Sequence, residues 1–215
     1  MNEETLDESL LLETTLNQLI SSTDSGFDTD RRLSATDTTS VVNIDLVPAR
    51  GKLTAKAAVR GSENKVYQVL IQFQQVKYNP PANTDRVTFV ASEQTYAISP
   101  IDVGNSNVKV RCQCLDFRFR FAMINSADGS LFGNRPPIYR PVPDSGRGAA
   151  NPSKTPGICK HIKSLMDELE SGGLFNTERP QQATQQPDAP QQSPQEPQDQ
   201  PPETPTENNS ENPRN

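Results

Sequence analysis

Between residues 65 and 77, apolar and polar side chains alternate. Tyr67, Val69, Ile71 and Phe73 fall on one face, and Gln68, Gln72 and Gln74 on the other, broken only by Leu70. A period of two predicts a half-buried β-strand. The run Asn79-Pro80-Pro81-Ala82-Asn83 ends it, because proline cannot donate to a ladder. Shorter stretches predict strands over 42–48, 53–60, 86–91, 95–98 and 107–112, and short strands joined by turns predict a small antiparallel sheet. Elsewhere the period becomes helical. Leu6, Leu10, Leu16, Leu19 and Ile20 recur among acidic residues and predict an amphipathic helix over 4–22, able to dock on a partner or on its own domain. Ile162, Leu165, Met166 and Leu169 recur at i, i+3, i+4 and i+7, so a helix begins near Cys159 and ends near Gly172-Gly173. Asp116-Phe117-Arg118-Phe119-Arg120-Phe121 fits two readings: a strand burying all three phenylalanines, or a helix with Phe117, Phe121 and Ile124 on one face.

The pattern fades elsewhere. Residues 23–40 are polar and turn-rich, and predict a flexible linker. Residues 176–215 are dominated by Pro, Gln, Glu, Asn and Thr, which cannot form a core, and predict a disordered tail. Only 32% of the chain is apolar, against roughly 45–50% in globular domains. The expected fold is therefore α+β and confined to residues 41–175: a small antiparallel sheet followed by a strand–helix unit.

Charge is segregated. Residues 1–47 carry 10 acidic and 2 basic side chains, and residues 164–215 again 10 and 2; residues 109–163 carry 10 basic and 3 acidic. A net charge of −6 thus hides a basic centre between acidic ends, and basic centres attract polyanions. The candidate contacts to nucleic acid are Arg118, Arg120, Arg135, Arg140, Arg147, Lys160 and Lys163, several beside aromatics, as phosphate contact and base stacking require. The bland alternative is a solvated rim around a phenylalanine core.

The chain has three cysteines and one histidine, and all four fall in two close pairs, Cys112-Gln113-Cys114 and Cys159-Lys160-His161, with 44 residues between them. An odd cysteine count cannot complete a disulfide framework. Residues i and i+2 of a strand share a face, so Cys112 and Cys114 can aim at one point beyond residues 107–111. Pro156-Gly157 marks a turn, after which the first turn of a helix presents Cys159 and His161. Zinc takes four such S and N ligands tetrahedrally, and four protein ligands leave no open position for an activated water, so the expected ion is one structural Zn²⁺. A Cys159–His161 nucleophilic pair would leave Cys112 and Cys114 unexplained. No phosphate-cradling glycine loop and no G-x-S-x-G are present, and no histidine remains as a general base. The expectation is a non-enzymatic protein without a small-molecule substrate.

The order CxC…CxH, with strands before the first pair and a helix starting at the second, resembles the SWIM-type zinc finger over roughly residues 95–172. Asp116-Phe117 and the Pro156-Gly157-Ile158-Cys159-Lys160-His161 run are similar to that family too, in particular to the SWIM-type proteins of large tailed bacteriophages. The interval between the pairs is longer than the family usually has. The resemblance implies binding of DNA or of proteins, the alternative being a structural or assembly protein of a phage particle. The acidic start has no signal-peptide order, and no apolar run approaches the roughly 18 residues of a membrane span. Free thiols suit a reducing, intracellular location.

Overall fold

The computed structural model describes residues 14–26, 38–137 and 150–175. Its fold is α+β, with two small antiparallel sheets and few helices. Strands β1 (Ser40–Ala49), β2 (Lys52–Arg60) and β3 (Val66–Gln74) form a meander, and β6 (Val108–Cys112) pairs with β3 to complete the order β1-β2-β3-β6. Strands β4 (Val87–Ala91) and β5 (Gln94–Ile98) form a separate hairpin. The expected single sheet is thus two.

The register follows from the alternation. Leu53, Ala55, Ala57 and Val59 of β2, Val69, Ile71 and Phe73 of β3, and Val108, Val110 and Cys112 of β6 are all buried on one face. Between β1 and β2, Gly51 takes a left-handed φ of +65° with open space around it, so the backbone conformation rather than crowding calls for glycine there. β3 stops at Gln74 rather than reaching 77, because Gln75 turns left-handed (φ 57°) and Val76 donates its N–H to the Gly51 carbonyl. The prolines further on only follow a strand that has already ended.

Three helical pieces complete the described residues. Among the described residues helix α1 is Leu16–Gly26, so of the expected 4–22 span Thr14 and Thr15 are not helical. Thr15 and Gln18 form a capping box: the Thr15 N–H donates to Gln18 Oε1 (2.9 Å) and the Gln18 N–H to Thr15 Oγ1 (3.3 Å). Thr15 also bridges to Asn107 and the Thr14 carbonyl accepts the Val108 N–H, so these two residues are held as an extended partner of the β6 approach. Residues 4–13 of the expected helix lie outside the described residues. Leu16, Leu19 and Thr23 are buried, so α1 is docked on the domain, and it runs past Ser22 into the expected linker; residues 27–37 of that linker lie outside the described residues. The Phe-Arg alternation settles as a π-helical turn, Phe117–Phe121, running into α2 (Ala122–Ala127), with Phe117 and Phe121 buried and Phe119 40% exposed. Helix α3 (Lys160–Ser171) packs across β1, β2, β3 and β6. It ends in a Schellman motif, with Gly173 at φ +73° and the Leu174 N–H returning to the Leu169 carbonyl. Helices thus cover one face of the larger sheet. None of them is long and apolar enough to cross a membrane. Residues 176–215, the expected tail, lie outside the described residues.

Candidate metal centre

Cys112 is the last residue of β6, on the buried face. Its sulfur points under the helical layer because it continues the Val108, Val110 alternation. Cys114 lies beyond the strand, in the bend that enters the π-turn, so strand periodicity is not what aims its sulfur. The bend does so: the Cys114 N–H donates to Cys112 Sγ (3.4 Å) and the Phe117 N–H to Cys114 Sγ (3.3 Å). Backbone amides thus turn both sulfurs to one side.

Cys159 is the N-cap of α3, in extended conformation (φ −97°, ψ 167°), and its carbonyl accepts from the N–H groups of Ile162 and Lys163. A helix N-terminus carries partial positive charge, which favours a thiolate. His161 follows in the first turn, its Nδ1 3.9 Å from Cys159 Sγ and its ring 4.6 Å from that of Tyr67. All four residues are buried, and their ligand atoms lie within 4.8 Å of one another. A tetrahedron with metal–sulfur bonds of ~2.3 Å has edges of about 3.8 Å, so a contraction of about 1 Å at the widest pair closes the shell. This cluster could hold one metal ion. Among the described residues His161 Nε2 has no hydrogen-bond partner, as expected of an imidazole placed by packing.

Without a cation the hydrogen bonds among the three thiols push their acidities apart. Cys114 is held far below the usual thiol range, because Cys112 and then Cys159 donate to it, with the Phe117 amide helping. Cys112 is pushed up by that same hydrogen bond to Cys114. Burial, then the two neighbouring sulfurs, pushes Cys159 up. The nearby thiolate also contributes, after burial, to a raised Tyr67.

Several positioning residues are not legible as metal chemistry. Thr23 Oγ1 donates to the Leu19 carbonyl (2.7 Å) and accepts the Ile158 N–H (2.9 Å). Asn125, fully buried, grips Gly157 from both sides: Oδ1 accepts its N–H and Nδ2 donates to its carbonyl, both at 3.0 Å. Helices α1 and α2 thereby fix the two residues just before Cys159. A Cβ on Gly157 would stand 2.5 Å from Thr23 Oγ1, and one on Gly61 would stand 2.9 Å from His161 Nε2. The only cue in sequence was the Pro-Gly pair.

The candidate nucleic-acid contacts do not form one cluster. Arg118 lies with its guanidinium carbon 5.7 Å from the Phe119 ring centroid, whereas Arg120 pairs with Asp116 (3.2 Å). Arg135 Nε donates to Met123 Sδ (3.2 Å). Lys160 donates to Thr38 Oγ1 (3.2 Å) and Ser62 Oγ (3.4 Å), and Lys163 pairs with Asp167. Arg140 and Arg147 lie outside the described residues. Arg118 and Arg135 meet in a groove of about 400 Å³ that Arg111 also lines, beside Cys112. Arg111 itself donates to the carbonyls of Phe132 and Asn134. No protein-family model matches the chain, and no curated protein or solved structure matches it significantly.

Proposed function

We propose that this chain is a zinc-stabilised, non-enzymatic binding module of SWIM type that engages nucleic acid, DNA first, through its basic centre. The observation that carries the reading is the convergence of Cys112, Cys114, Cys159 and His161, with ligand atoms within 4.8 Å of one another. Three soft thiolates and an imidazole suit Zn²⁺ better than the hard, oxygen-preferring cations. The resemblance to the SWIM-type finger is supported by the order of parts: strand, CxC, long insert, then CxH with its cysteine capping a helix. A shell of four protein ligands keeps no position for substrate, so the ion's part is to clip β6 to α3. The long insert does not weaken this, because loop-closure cost grows slowly with length. Native mass spectrometry with and without chelator tests the metal. One zinc per chain is expected, and metal-free protein whose melting ignores EDTA defeats the reading.

The choice of nucleic acid is supported by the groove that gathers Arg111, Arg118 and Arg135. A second reading, a phage structural or assembly protein using the finger for protein contact, is favoured by Leu115 and Phe119. These apolar side chains are 61% and 40% exposed on the turn after the first cysteine pair. Salt separates the two readings. Phosphate contacts make affinity for mixed-sequence DNA fall steeply with salt; no binding at low salt favours protein assembly.

A further inference from the structure

The helices cover one face of the four-stranded sheet, and the other face has its own chemistry. An antiparallel sheet ordinarily solvates its second face with mixed polar residues. Here the signs are not mixed. β2 places Lys52, Lys56 and Arg60 on the outer face, and β6 adds Lys109 and Arg111. The only acidic side chain that the four strands place there is Asp45, opposite Lys56. Five cations against one anion is a strong bias in a chain of net charge −6.

We infer that this outer sheet face is the surface that receives nucleic acid, through the phosphodiester backbone of a duplex. The inference rests on the nucleic-acid reading above and moves its centre from the arginines of the insert to β2 and β6. Lys52, Lys56 and Arg60 are exposed, and at ~3.4 Å per residue they span roughly 27 Å along β2, with Lys109 and Arg111 two strands or roughly 10 Å to the side. That footprint is wide enough for a duplex, which carries a charge every ~1.7 Å of axis. Between the cations lie Gln68, Gln72 and Gln74. Gln74 donates to Gln72 and Gln72 to Thr54 (2.9 and 3.0 Å), an amide row that holds the surface polar and ordered. The aromatics of the meander, Tyr67 and Phe73, point to the other face, toward His161 and Phe175. The outer face therefore offers charge, amides and the aliphatic side chains of Val47, Val66 and Leu70, without an aromatic stacking platform. That favours the backbone of a duplex over unstacked single-stranded bases. Arg111 connects the face to the groove holding Arg118 and Arg135.

The test compares three metal-loaded full-length proteins binding a mixed-sequence 20-base-pair DNA duplex by fluorescence anisotropy over a salt series. One is the parent chain, one carries Lys52→Gln, Lys56→Gln and Arg60→Gln, and a charge-matched control carries Lys77→Gln, Arg86→Gln and Lys154→Gln. Unchanged zinc stoichiometry shows that each is folded. The parent is expected to show a slope of log affinity against log salt near about −4, and the sheet variant to lose about three of those units and at least about tenfold in affinity at ~100 mM salt, with the control unchanged. A sheet variant that binds like the parent overturns the inference while leaving the nucleic-acid reading standing. A parent that ignores the duplex even at low salt removes that reading as well. Polyglutamate competing as well as DNA, charge for charge, reassigns the face to an acidic protein and also overturns the inference.

Discussion

Gly157→Ala would place a methyl carbon 2.5 Å from Thr23 Oγ1 and 2.7 Å from Phe121 Cε1, where two helices converge on the residue before Ile158. Neither neighbour can retreat freely, since Thr23 is tied to Leu19 and Ile158, and Phe121 is fully buried. Overpacking of this kind costs about 1–3 kcal/mol. The expected result is a loss of that size in denaturant unfolding of the metal-loaded protein; an unchanged midpoint would contradict the packing. Cys112→Ser tests the other side of the site. Outer partners of metal ligands already cost 10–100-fold in affinity, so removing a ligand should cost at least about 100-fold in competition with a chromophoric chelator. The contrast shows what was legible at this scale. Cys112, Cys114, Cys159 and His161 stood out because their residue types are rare in the chain and closely paired. Thr23, Asn125 and Gly157 did not, because they act through backbone amides and through space left empty.

The elements show a different limit. Alternation located β3, since burying one face forces it, and shorter stretches located β2 and β6, but neither said where an element stops. β3 ends on the left-handed Gln75, and α1 begins on the Thr15–Gln18 capping box, both local backbone events. The Phe117–Phe121 segment was open between strand and helix because a strand would bury all three phenylalanines and a helix Phe117, Phe121 and Ile124; the amide of Phe117 committed to Cys114 Sγ favours the helical course. Thr23→Val removes the acceptor of the buried Ile158 N–H and should cost about 1–3 kcal/mol, whereas Thr23→Ser keeps it and should retain most of the stability. A larger loss for Thr23→Ser than for Thr23→Val, measured by unfolding in denaturant, would mean that the methyl rather than the hydroxyl matters. The β4–β5 hairpin turns on Ser92 and Glu93, both left-handed (φ 46° and 64°). A two-residue loop of that kind prefers Asn-Gly. Ser92→Asn with Glu93→Gly should therefore stabilise the protein by about 0.5–1 kcal/mol, seen as a raised Tm with unchanged metal content.

At the scale of the molecule, the metal centre joins parts that the sequence keeps far apart. β6 brings one pair, α3 the other, and α1 and α2 hold the approach to Cys159. The sheet, the helices and the candidate site therefore share one core, and occupancy of the site should govern its stability. In the metal-free fold the hydrogen bonds it receives hold Cys114 below the usual thiol range, whereas Cys112 and Cys159 are held above it by the hydrogen bond to Cys114 and by burial. A thiolate is the ligand, so these two must lose their protons when the ion enters. Loading should accordingly release about two thiol protons near neutral pH, measurable by calorimetry in buffers of differing ionisation enthalpy. Groups protonated in the free form and deprotonated in the bound form make affinity rise with pH, here by about two log units per pH unit between roughly pH 6 and 8. Acidification in that window should release the ion and lower Tm together, and the metal-free protein should not show the same loss. An affinity independent of pH, or a proton count near zero, would mean that the three sulfurs do not act as ligands to one cation.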